Sequence, residues 1–239
     1  MTWSPVERRS VTDGVFEQIL SDVVAGTLEP GAPLPSERRL AELLGVSRPV
    51  VREALQRMAQ AGLVDVRHGG ATTVRDFTRF AGLDLLPRLL FRGGDVDLAV
   101  VRSILEARLA VGPEVAALAA ERGTTDQAQA LGETLDLLVA SEDPVAMQQH
   151  SLAFWDLVVD GADSVVFRLM FNSLRATYEP ALEALAHVMQ PEVRHLAAYR
   201  RLVEAITRRD GWAARDAATD LLAPTTATLL DTIAELEKN

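Results

Sequence analysis

The run LPSERRLAELLGVSRPVVREALQRMAQAGLVDVRHGGATTV, residues Leu34 to Val74, decides how the first part of this chain folds. Ser36 stands directly before an apolar-periodic segment and Glu37 opens that segment, which is how a helix N-terminus is composed. Leu40, Leu43 and Leu44 give this helix one apolar face, and Gly45 follows where a helix end needs a left-handed residue. Ser47 then stands as the N-cap of a second helix whose buried stripe is Val51, Leu55 and Met58. Arg48, Arg52 and Arg57 lie off that stripe. A helix, a glycine turn and a second helix with basic residues near its start make the helix-turn-helix layout. There the second helix enters the DNA major groove with its N-terminal end. Leu63 to Val66 and Thr72 to Val74 read as strands around a turn at His68-Gly69-Gly70, so the variant is winged. Upstream, Val15, Ile19, Leu20 and Val23 predict a helix over 11–25 that packs beneath this unit, with residues 1–10 frayed and a proline-rich loop at 26–35.

Composition bounds the rest. The 239 residues are ample for one or two domains, and the absence of cysteine excludes disulfides and thiolate metal sites. The start, Met1-Thr2-Trp3-Ser4-Pro5, has no apolar run of signal-peptide length. No stretch approaches the roughly 20 apolar residues of a membrane span. A cytoplasmic protein without membrane partners is therefore expected. The net charge of −10 is unevenly spread: residues 1–79 carry ten arginines against ten carboxylates and are formally neutral, so the whole excess lies in residues 80–239. That acidic half repels phosphate and favours a pose that holds it away from DNA.

Phe77 to Gly82 reads as a linker, giving a DNA-binding domain over 1–76 and a second domain over 83–239. From Leu83 onward the period is helical throughout. Breakers at Gly93-Gly94, Gly123-Thr124, Glu142–Pro144, Gly161-Ala162, Gln190-Pro191 and Asp210-Gly211 divide it into about six or seven helices. The expected fold class is mainly α, a winged helix-turn-helix followed by an all-α bundle. No nucleophile elbow, catalytic His–carboxylate arrangement or phosphate-cradling glycine loop is visible, so an enzyme is not expected.

The N-terminal pieces G-T-L-x-P-G-x-x-L-P-S-E-R, L-G-V-S-R and V-R-E-A-L-Q-R-M-x-x-x-G-L-V together resemble the DNA-binding domain of GntR-family bacterial transcription regulators. Weaker pieces extend the likeness to the FadR subfamily, closest in type to its fatty acyl-CoA-responsive regulator: Val74-x-Asp76-Phe77, Leu105-Glu106-x-Arg108, Ala116 to Arg122, and Tyr199-Arg200-x-Leu202-x-Glu204-Ala205-Ile206. The resemblance implies DNA contacts at Arg38, Ser47, Arg48, Pro49, Arg52, His68 and Gly69, a homodimer on a pseudo-palindromic operator, and an effector bound in the bundle. Pro49 departs from the small hydroxyl residue found there in the acyl-CoA-responsive member, and proline donates no hydrogen bond.

Many members of the subfamily hold a metal between an Asp and three His. The matching positions here are Ser151, Trp155, Tyr199 and Leu221, none an ordinary metal ligand, so no metal or other cofactor is expected. His150, His187 and His195 read as surface or capping residues. The candidate effector residues are Arg108, Phe154, Trp155, Tyr178, Tyr199 and Leu221. Phe167, Met170 and Phe171 are further aromatic or soft side chains that could line an acyl pocket or simply fill a core. Arg108 falls where the subfamily keeps a buried arginine facing an acidic ligand head; an ion pair with Glu106 or Glu114 is the other possibility. The effector read from this is a fatty acid or acyl-CoA. The alternatives are a small carboxylate, with or without a metal, or a helical ligand-binding protein that no longer binds DNA. Leu221 to Thr226 lacks the glycine and acidic pair that help hold the thioester ligand in the acyl-CoA-responsive member.

Overall fold

The computed structural model describes residues 11–66, 70–92 and 95–238; the expected fraying at 1–10 lies outside them. The chain divides into two units, 1–96 and 97–239. In the first, α1 (Val11–Val24), α2 (Glu37–Leu44) and α3 (Arg48–Gln60) are followed by the hairpin of β1 (Val64–Asp65) and β2 (Thr73–Val74). Ser36 caps α2 by accepting from the Arg39 amide at 3.3 Å. Gly45 ends it with φ 65°, the left-handed residue that the turn into α3 demands. The strands pair antiparallel with Val64 opposite Val74 and Asp65 opposite Thr73. Pro33 adds a bridge to Thr73, so the loop before α2 edges the wing.

Val15, Ile19, Leu20 and Val23 from α1 meet Val51, Leu55 and Met58 from α3 in one core, closed by Leu40, Leu63 and Val74. Leu43 is exposed, contrary to the apolar face expected of α2. An eight-residue helix meets the core along a narrow line, and Leu40 and Leu44 take it.

The division between units falls later than the expected linker at 77–82. Residues 77–80 form a short helix, α4 (Phe77–Phe80), followed by a 3₁₀ turn at Leu83–Leu85, α5 (Leu86–Leu90) and a second small hairpin, β3 (Phe91–Arg92) with β4 (Asp95–Val96). The hairpin interrupts the run of helices expected from Leu83; the turn expected at Gly93-Gly94 lies outside the described residues. Leu85 is buried in the first unit's core, with Phe77, Ala81 and Leu89 packed against it. Arg88 pairs with Asp13 and Glu17 on α1 and stacks over Phe16 at 4.4 Å. Burial and charge thus tie the segment to the first unit, which an alphabet of local breakers does not show.

The second unit is helical: α6 (Leu98–Arg122), α7 (Thr125–Ala140), α8 (Pro144–Gly161), α9 (Val165–Tyr178), the single turns α10 (Leu182–Leu185) and α11 (Gln190–Val193), α12 (Leu196–Thr207) and α13 (Gly211–Leu236). Caps mark the expected breaks. Thr124 and Gln127 form a reciprocal capping box, Asp143 accepts from the Ala146 amide at 2.8 Å, and Asp210 from that of Ala213 at 3.0 Å. Gln190-Pro191 does not end a helix but opens α11; proline suits a first helical turn as well as a break. Helix α13 packs along α6 through alanines of both, and α8 and α12 complete a core around Phe154, Val158, Tyr199, Leu202 and Leu221.

Candidate functional site

Helix α3 begins at Arg48, and Arg52 lies one turn on, so both guanidiniums stand exposed on one face. Ser47 occupies the N-cap position, yet its hydroxyl makes no capping bond. Pro49 at N2 removes one of the two amides such a hydroxyl could accept from. Arg38 projects from α2, 83% exposed in its side chain and 4.0 Å from Glu42. Arg57 is not on this face but pairs with Asp13 of α1 at 2.9 Å. His68 and Gly69, the expected wing tip, lie outside the described residues.

The sequence reading missed Glu37 as a partner of this surface. Its carboxylate accepts from Arg48 Nε at 3.0 Å and from Arg52 Nε and Nη2 at 3.0 and 2.9 Å. The Arg52 hydrogen bonds, with the single one from Arg48, hold the Glu37 carboxyl down at about 2 against the opposing effect of burial. Only the acidic first turn of α2 hinted at it; the pairing spans the turn between the helices.

In the second unit, Arg108 donates to Glu192, a nearly fully buried carboxylate on α11, and not to Glu106 or Glu114. Glu114 instead pairs with Arg215, at 2.8 and 2.6 Å. Beside the Arg108–Glu192 pair, Tyr178 donates to Gln148 Oε1, and Ser151 Oγ meets the Tyr199 hydroxyl at 2.7 Å. Burial pushes the Tyr178 phenol up to about 12 and that of Tyr199 higher still. Gln148 Nε2 is buried without a hydrogen-bond partner among the described residues. Glu192 and Gln148 were not singled out in the sequence: one sits in a stretch read as a break, the other on a helix whose apolar residues drew attention.

The remaining candidates fill space. Phe154 and Tyr199 are fully buried and stack edge to face, with ring centroids 5.0 Å apart; Leu221 lies in the same core and Trp155 packs partly buried against it. The cleft of about 470 Å³ in this unit opens elsewhere, between the Gln149, Leu152 and Asp156 face of α8 and Arg175, Glu179 and Leu182; none of the expected effector residues lines it. Among the described residues, no three His, Asp or Glu side chains converge as a metal-holding group, and no helix is long and apolar enough to cross a membrane.

Residues 11–74 match the family described as bacterial regulatory proteins, gntR family, and residues 103–223 match the FCD domain. The HTH-type transcriptional regulator Mce2R of Mycobacterium tuberculosis is 58% identical over 222 residues, covering 93% of this chain and 92% of the relative. The fatty acid metabolism regulator protein of Edwardsiella ictaluri is 30% identical over 198 residues, 81% of this chain and 80% of that protein. A Streptococcus agalactiae GntR structure aligns over 91% of this chain and 99% of its own with a TM-score of 0.50 at 23% identity. The Listeria monocytogenes Lar structure aligns over 95% and 99% with a TM-score of 0.58 at 15% identity. These two likenesses speak for the fold.

Proposed function

The chain belongs to the GntR family of bacterial transcriptional regulators, with an FCD effector-binding domain, and from that premise we propose that it grips a pseudo-palindromic operator as a homodimer and releases it when a fatty acid or acyl-CoA binds the bundle. Arg48 and Arg52 read base edges in the major groove; Arg38 and Ser47 hold phosphates; His68 and Gly69 follow the minor groove; and Pro49 starts the helix without donating. The observation that carries the DNA half is the exposure of both arginines on the first two turns of α3, directly behind the Gly45 turn.

For the effector, the support is the partly buried cation Arg108 set beside Tyr178, Tyr199 and an aromatic core, together with a relative named for fatty acid metabolism. An acidic head would take the place of Glu192 on Arg108 while an acyl chain displaces side chains near Trp155 and Leu221. A second reading, a small carboxylate, is favoured by the close packing of Phe154, Tyr199 and Leu221, because a short ligand would displace fewer of these buried side chains than an acyl chain.

Titrating fatty acids and acyl-CoAs of several lengths, and short carboxylates, against the protein bound to a duplex selected from a random library tests both. The acyl reading expects long chains to weaken the complex by about 5–150-fold, the usual span of a coupling of about 1–3 kcal/mol. If only a short carboxylate does so, and Arg108→Ala abolishes the response, the second reading stands.

A further inference from the structure

Glu37 is bonded to both of the arginines assigned above to base reading, and those bonds decide which donors remain. In Arg52 the edge formed by Nε and Nη2 is closed by the two carboxylate oxygens; in Arg48 the Nε is taken. What stays open on each guanidinium is the terminal edge between Nη1 and Nη2, a pair of parallel donors that matches guanine O6 and N7. Two long side chains that would otherwise sample many rotamers are thus held in one geometry before DNA arrives, by a bidentate contact and a shared oxygen. The same carboxylate places a negative charge among the cations. Arg48, Arg52 and Glu37 together carry one net positive charge, which makes the face a poor clamp for phosphate. The neighbouring arginines repeat the arrangement: Arg38 and Arg39 both lie within ion-pair distance of Glu42.

We propose that Glu37 is a positioning residue that sets sequence specificity: it aims Arg48 and Arg52 end-on at bases and lowers their attraction for bare backbone. The proposal rests on the base-reading role given to the two arginines above. A carboxylate that only stapled α2 to α3 would do neither.

The test uses the full chain, the duplex it enriches from a randomised library, and a scrambled duplex of the same composition. Glu37→Gln keeps the size, removes the charge and points an amide donor at the guanidiniums. It is expected to bind the scrambled duplex as well as the parent or a few-fold tighter, with a steeper salt dependence, while the ratio of selected to scrambled affinity falls at least tenfold. Glu37→Asp keeps the charge but shortens the reach. It should leave scrambled binding unchanged and still lower the ratio, so it carries the test if the glutamine variant fails to fold. Replacing guanines by 7-deazaguanine should cost the parent more than either variant. A folded variant whose ratio stays within about twofold of the parent, or which weakens both duplexes equally, overturns the proposal and leaves the base-reading role intact. If the parent enriches no duplex at all, both fall together.

Discussion

The Ser151 hydroxyl lies 2.7 Å from that of Tyr199, joining α8 to α12 inside the packed core of the second unit. Both residues are more than nine-tenths buried, so neither hydroxyl has bulk water to turn to. The resemblance would have placed metal ligands at these two positions; here their side chains are bound to each other.

That pair should behave as a coupled unit. Tyr199→Phe leaves the Ser151 hydroxyl buried and unsatisfied and should cost about 1–3 kcal/mol. Ser151→Ala should cost a similar amount, and the double variant clearly less than the two together. A urea-denaturation double-mutant cycle measures the coupling; strict additivity would show that the hydroxyls do not depend on one another.

Removing one partner of the Arg108–Glu192 pair should destabilise the second unit more than changing both. Single losses from a buried pair cost about 3–5 kcal/mol, and Glu192→Gln should fall at or below the low end because the Arg108 side chain keeps 25% of its exposure. Arg108→Met combined with Glu192→Gln should recover part of the loss. Denaturation midpoints of the three variants decide it.

Truncating Arg48 or Arg52 to alanine should cost about 1–3 kcal/mol of binding to the selected duplex and relax the choice of base at one position in each half-site. Competition with single-base variants of that duplex checks this. Equal weakening on selected and random DNA would make them phosphate contacts instead.

Acid should weaken the α2–α3 junction in a defined window. Glu37 titrates at about 2 in the folded chain against a usual 4.5, so the folded state releases its proton more readily than the unfolded one. The stability this gives is fully present above about pH 4.5 and is lost as pH falls towards 2. The melting temperature of Glu37→Gln should therefore depend less steeply on pH across that window than the parent's. Parallel curves would mean that the ion pairs contribute nothing to folding.

Gly62→Ala should destabilise the first unit by about 1–3 kcal/mol. Its φ is +76°, and an added Cβ would stand 2.2 Å from the carbonyl oxygen of Phe80 at the end of α4. Thermal melting checks this; Gly26→Ala, with φ +76° but open space around it, separates the backbone cost from the clash.

What local rules govern was legible in the residues alone. Ser36, Gly45 and the Val51–Leu55–Met58 stripe determine α2, the turn and α3, because caps, left-handed residues and helical periodicity act over a few positions. The same holds for the breaks at Thr124, Asp143 and Asp210, each written in a capping side chain. Tertiary structure alone decided which side chains meet. Glu37 reaches Arg48 and Arg52 only once the turn has set α2 against α3. Glu192 finds Arg108 only after the bundle has closed. Residues 77–90 join the first unit because Leu85 and Arg88 find a core and two carboxylates on α1, not because any residue among them signals it. Burial and long-range ion pairing depend on where the chain returns to itself, and helical periodicity records which face of a helix is covered but not what covers it.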